Sequence, residues 1–484
     1  MKRYTLYIIY SIMLLTLAAC IDDRYPQIKG TVAEPTFIYN GEKGANDVPI
    51  LPTFANPTYN IVSRSTGVFN SWEDDSTHWM NAPFHTYAFW TGTSNTNYQA
   101  TSLPQCLLNN DTLKIVDPQG NVKFSQGDSL IFRYWPSDDD NRINKYKYKF
   151  FTYFCDSLVP DISKTSNTIT AKFTLDGSSD IIHSYAYHTD SLLDVIVETL
   201  PFRDGTYEDL KAEGQNMLYT TIAASRDINP LFHLNHMLTR IDIHVQGVET
   251  ENTDYSFLNV LLDEITLEAP EQVSLKVADD NWTEQTYEAE VEAGTLLTTT
   301  GPNVLYNLSI IPDSIHNTDY SESLRKKGLI DTDYDDIWKQ WKEKVLATNE
   351  KDTAFFHIAD ANTEPHPLAL PLLVPPMQSY NLVMKGRAMN IAYDDIAGKW
   401  SLEKDASGEY FHNIRSDATL ELHDANGSPI KFKAGRRYAV TIYVYNSEGG
   451  RLKATVADIN EEQWIDDNGN DPMIVDNELD EGTN

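Results

Sequence analysis

With 71 acidic against 38 basic side chains in 484 residues, the chain carries a formal charge of 38 − 71 = −33. That excludes a general nucleic-acid binder, because phosphate contacts need clustered Lys and Arg. An apolar share of 41% with 11% aromatics supports large buried cores rather than disorder, and three cysteines are too few to staple such a length.

Lys2 and Arg3 precede an apolar run from Tyr4 to Ala19, which suits a signal peptide better than a membrane span. The run ends in Leu17-Ala18-Ala19-Cys20, which resembles the lipobox of bacterial lipoproteins. The resemblance implies that residues 1–19 are cleaved and that Cys20 is acylated and becomes the first residue. Acyl chains buried at about 0.8 kcal/mol per methylene would then hold the chain in the outer membrane without a spanning helix. An ordinary secretory signal ending in Cys is the alternative. Ile21-Asp22-Asp23 resembles the surface-export signal of Bacteroidetes lipoproteins, and reads equally as a solvated linker. Residues 20–47, with Pro26 and Pro35, read as a tether. Cys106 and Cys155 either pair or remain two buried thiols.

Beyond the tether, nearly every periodic segment has strand spacing. Val122 and Phe124, then Leu130, Phe132 and Tyr134, flank the turn Gln126-Gly127-Asp128. Lys145 to Phe154 alternates lysine with tyrosine and phenylalanine, the pattern of a half-buried antiparallel strand. Thr168 to Leu175 and Asp194 to Glu198 continue it. Arg240 to Val245 sets Ile241, Ile243 and Val245 against Arg240, Asp242 and His244. Further strands are expected at Tyr255 to Leu267, Gln272 to Val277, Ala289 to Thr298 and Asn303 to Pro312. Leu368 to Val374, Tyr380 to Arg387, Thr419 to His423 and Tyr438 to Tyr445 complete the set. Ser321 to Leu346 alone has helical spacing and reads as an insertion. The prediction is a mainly β chain of two antiparallel β-sandwich domains, residues 48–247 and 248–464, with a helical insert at 321–346 and an acidic tail at 465–484.

At Pro230-Leu-Phe-His-Leu-Asn-His-Met-Leu-Thr-Arg-Ile-Asp-Ile-His-Val245 the sequence resembles the fimbrillin family, the FimA-like and Mfa-like pilins of Bacteroidetes. Leu372-Leu373-Val374-Pro375, Phe432 to Val444 and Val456 to Trp464 resemble its later strands. The resemblance implies two transthyretin-like sandwiches in a surface lipoprotein precursor without catalysis. It also implies fimbrial subunits as partners through β-strand addition, and attachment to host or bacterial surface ligands. In the family, cleavage after an arginine removes an N-terminal strand, and an extended segment of another subunit fills the groove. Arg64, followed by Ser65, is the candidate processing site, and Asp47 to Phe54 the segment lost. Arg24 is the second choice, and an unprocessed surface arginine the alternative. Met473-Ile474-Val475 is the candidate donor strand, against a simply solvated tail.

Motifs of the common enzyme classes are missing, so no catalytic residue and no cofactor is assigned. His233 and His236 tempt a metal reading, but residues three apart on a strand point to opposite faces, so no metal site is expected. Asp138-Asp139-Asp140 and Asp466 to Asp471 lack the glycine and closing glutamate of an EF-hand. Trp72, Trp79, Trp90 and Trp135, with Tyr87 and Tyr134, carry the alternative function: a surface glycan-binding lipoprotein that stacks sugars on exposed aromatics in nutrient capture.

Overall fold

The computed structural model describes residues 49–54, 82–90, 106–116, 122–127, 129–135, 148–165, 168–186, 229–247, 259–310, 354–357, 365–389, 391–394, 396, 399–402, 404, 406–424, 426–447 and 451–463. The chain is mainly β, with one helix among these residues. The expected helical insert at 321–346 lies outside them. No described helix is long and apolar enough to cross a membrane.

The first half builds a seven-stranded antiparallel sheet, called sheet A. Its spatial order is Asn235–His236, Ile182–Tyr185, Tyr148–Phe154, Phe84–Trp90, Cys106–Ile115, Val122–Gln126 and Ser129–Ile131. The hairpin between the last two strands turns through Gly127 at φ +60, as the Gln126-Gly127-Asp128 signal predicts. Alternation puts Phe84, Ala88, Phe150 and Phe154 in one apolar cluster and Tyr87, Phe89, Phe151 and Tyr153 in another. The Tyr148–Phe154 strand is therefore buried on both faces, where its sequence suggests a half-buried strand. The run Phe150-Phe151-Thr152-Tyr153-Phe154 is the visible reason, since a strand covered on both sides needs no polar face. Its one polar pair inside is matched across strands: Thr86 and Thr152 share a hydrogen bond of 3.2 Å.

One face of sheet A is covered by a four-stranded sheet B, ordered Leu297–Thr299, Gln272–Asp279, Thr168–Thr174 and Asp161–Lys164. Phe173 packs edge-on against Tyr153 with ring centres 6.3 Å apart. The stretch Ala289 to Thr298, expected as a strand, instead ends the helix α1, Glu284–Glu292, before the short strand Leu297–Thr299. Thr283 and Thr286 cap that helix reciprocally, and its Glu-rich sequence favours helix over the accidental alternation at its end.

Two further large sheets, and a two-stranded pairing of Ile391–Asp394 with Lys399–Leu402, follow among the described residues. Sheet C places Thr239–Gly247 between His366–Pro367 and Arg436–Ser447, with Arg451–Gln463 beyond and Leu372–Val374 also on the Thr239–Gly247 strand. Sheet D runs Asn303–Asn307, Asn259–Pro270, Ser379–Met389, Phe411–His423 and Pro429–Ile430, with Ala354–His357 paired beside Asn259. All pairs in sheets A, B and D are antiparallel, whereas Thr239–Gly247 runs parallel to Arg436–Ser447. Strand pairing crosses residue 247 twice: Thr168–Thr174 pairs with Gln272–Asp279, and Thr239–Gly247 lies among strands of the second half. One continuous apolar cluster accordingly joins Phe151 and Phe173 to Ile241, Leu267, Leu382 and Val440.

Candidate functional site

The segment Pro49 to Phe54 is wedged between two pieces of backbone. On one side Pro49 bridges Tyr134, and the Ile50 N–H donates to the Arg133 carbonyl at 2.7 Å. On the other, Thr53–Phe54 runs parallel to Leu231–Phe232, and the Thr53 N–H donates to the Pro230 carbonyl at 2.9 Å. Pro49 and Pro52 have no N–H to satisfy, which suits a segment held by few main-chain bonds.

Side chains supply the rest of the hold. Ile50, Pro52 and Phe54 are buried while Leu51 is half-buried and Thr53 exposed, the alternation of a strand laid over a trough. The Phe54 ring lies 4.8 Å from Phe84 and 6.0 Å from Phe232, and Phe84 meets Phe154 at a tilt with ring centres 5.2 Å apart. Ile50 and Phe54 belong to the second apolar cluster of sheet A, with Leu113, Phe124, Trp135 and Leu234. Full burial of two such side chains contributes roughly 3–6 kcal/mol on apolar area.

Arg133 is itself positioned from sheet A. Asn110 bulges out of the Cys106–Ile115 strand at φ +64, a conformation that asparagine tolerates. The next residue, Asp111, is thereby turned to accept from the Asn109 N–H at 2.9 Å and from the Arg133 guanidinium at 2.6 Å. A bulge in sheet A thus fixes the side chain of the residue whose carbonyl receives Ile50.

The opposite wall is the start of the 230–245 stretch. Leu231–Phe232 pairs with the docked segment, Asn235–His236 with Ile182–Tyr185 of sheet A, and Thr239–Gly247 with sheet C. A chain that changes partner twice within so few residues needs polar anchors at the changes. His236 provides one: its Nδ1 is 2.6 Å from the Asp180 carboxylate, both groups being buried. Asp242 provides the other, accepting from the Arg240 and Arg437 Nε–H groups at 2.6 Å each and so tying the parallel strands together. The turn Asp176 to Asp180 leads into this region. Burial alone would raise the Asp176 carboxyl, but bonds from the Ser178 and Ser179 amides and the Ser179 hydroxyl hold it below the usual range.

His233 is half-buried, His236 is committed to Asp180, and no group of metal-ligating side chains occurs among the described residues. Cys155 is a free buried thiol that donates to the Leu158 carbonyl, and burial pushes it up to about 12. Trp135 and Tyr87 are in the core rather than on a platform, as the stacked contact of Tyr87 with Phe89 shows. Trp72, Trp79, Cys20, Arg64, Ser65, Met473, Ile474 and Val475 lie outside the described residues. Two features went unseen in the sequence: the Asp111–Arg133 support, whose signal is the Asn-Asn-Asp bulge, and the buried His183, which lies in an unremarkable strand.

No family model and no curated protein sequence matches the chain. Among solved structures it is similar to a fimbrial protein from Bacteroides vulgatus, at 12% identity over 86% of this chain and 99% of that one, with a TM-score of 0.42. It is also similar to a candidate cell-adhesion protein from Bacteroides uniformis, at 10% identity over 87% and 100%, with a TM-score of 0.35. A third neighbour is the fimbrial anchor protein Mfa2 from Porphyromonas gingivalis, at 8% identity over 86% and 98%, with a TM-score of 0.26. These three neighbours are described as two fimbrial proteins and a candidate cell-adhesion protein, all from Bacteroidetes.

Proposed function

We propose that the chain is a structural component of a bacterial surface fimbrium, made as a lipoprotein precursor and joined to other fimbrial subunits by strand exchange. The observation that carries this reading is the Pro49–Phe54 segment. Over its described residues it is short and sits near the start of the mature chain; it uses few main-chain bonds to other described residues, and it covers a trough of phenylalanines that would be wet without it. Cutting after Arg64 frees this segment from the rest of the chain. A trough so exposed offers the Arg133 and Pro230 carbonyls and an aromatic floor to an incoming strand, which is the chemistry of β-augmentation. Acylation at Cys20 would hold the precursor at the outer membrane, and Met473-Ile474-Val475 is the donor segment for a neighbour's groove. In this role the chain is a joint and attachment element, with no catalytic step.

The test is assembly. Processed chain mixed with its fimbrial partners gives a ladder on an unheated gel and filaments by electron microscopy. A chain that remains a single band with every partner, yet binds glycan saturably, is a receptor and not a pilin.

A further inference from the structure

From the residues seated in the trough we infer that this groove accepts a strand from a different subunit and not the 465–484 tail of a second, processed copy of this chain. The inference rests on the strand-exchange reading and names its partner. The occupant defines the requirement: three alternate inward positions, filled by Ile50, Pro52 and Phe54, all buried, with an aromatic ring at the third against Phe84 and Phe232. Because side chains alternate strictly along a strand, a donor must meet this in one frame of residues i, i+2 and i+4.

The tail of this chain, residues 465–484, fails in every frame. Reading it two residues at a time, each triplet contains at least one Asp, Asn or Glu, and the stretch has no aromatic residue. The best frame, Met473, Val475 and Asn477, brings an amide to the position of Phe54. There it meets the Phe84 and Phe232 rings, and burying an amide against them without a partner costs about 1–3 kcal/mol, roughly a 10- to 100-fold loss of affinity. Charge points the same way. The tail carries seven carboxylates toward a chain whose formal charge is already −33, and like-signed surfaces slow association. The fitting occupant is an extended segment of another protein with alternate apolar residues ending in Phe, Tyr or Trp, running parallel to Leu231–Phe232.

The experiment uses full-length chain cleaved after Arg64 by an arginine-specific protease, with three labelled peptides followed by fluorescence anisotropy. These are residues 48–56, residues 469–480, and residues 469–480 with Asn477→Phe. The expected result is tight binding of the first, at least about 10-fold weaker binding of the second, and recovery of most of that loss by the third. Wild-type tail binding within about 3-fold of the Asn477→Phe peptide would overturn the heterotypic inference while leaving strand exchange intact. Failure of the 48–56 peptide itself to bind would remove strand exchange, and this inference with it.

Discussion

At the scale of single residues, the buried charges separate from the surface ones by what they leave behind when a partner is removed. Asp242 is nearly inaccessible and accepts from Arg240 and Arg437 together. Asp242→Ala removes the buried carboxylate that both guanidinium groups bond, and urea denaturation should show a loss of about 3–5 kcal/mol. Arg415 and Asp417, nearly as close at 2.8 Å, are exposed, and Asp417→Ala should leave the midpoint unchanged. His183 gives a pH signature. Its Nε2 must carry the proton, because it lies 2.8 Å from the Val277 carbonyl, which leaves Nδ1 to accept from the Tyr287 hydroxyl. Burial lowers the ring to about 4, against the small opposing effect of that carbonyl. Between pH 6.5 and about 4 the unfolded chain binds a proton that the folded ring refuses. Stability therefore falls as pH falls through that window, by about 3 kcal/mol in full. The His183→Asn variant, though less stable at pH 7, should show a visibly flatter decline from pH 7 to pH 5.

At the scale of elements, the docked segment depends on sheet A through Asp111 and Arg133. Asp111→Ala should speed hydrogen exchange at the Ile50 amide about 10-fold or more while leaving the amides of Tyr148–Phe154 as protected as before, since one charge-assisted bond is worth about 1.5–3 kcal/mol. Unchanged exchange at Ile50 would mean that the carbonyl of Arg133 is held by something else. Gly177 marks another such dependency. It sits at φ +81, its carbonyl accepts from the Leu373 N–H, and an added Cβ would lie 2.7 Å from Leu372 Cδ1. Gly177→Ala should cost at least about 1–2 kcal/mol from backbone strain alone, read from the thermal midpoint. The elements themselves were partly legible in the sequence. The turn at Gly127 and the strand at Thr239–Gly247 follow from alternation and turn chemistry, which are local. The Phe84–Trp90 and Cys106–Ile115 strands were not foreseen. The second carries polar residues at Asn109, Asn110 and Asp111 that break the period, and those are the residues of the bulge.

At the scale of the whole molecule, what the sequence could not show is who pairs with whom. Alternation announces a strand but not its partner, and the parallel pairing of Ile241 with Tyr438 spans most of the second half of the chain. The same limit applies to the site. The 230–245 stretch was singled out by its resemblance, yet its physical role, one wall of the trough and then the bridge to sheet C, follows from pairing alone. The docked segment was picked from apolar content near Ile50 and Phe54, which is legible, but its seat between Arg133 and Pro230 is not. Assembly by strand exchange requires that this segment leave its seat. Mass spectrometry of the surface-assembled form reads this directly: the account predicts an N-terminus at Ser65 and the loss of peptides covering Pro49–Phe54. Intact acylated Cys20 in every polymerised chain, with that segment still attached, would contradict it.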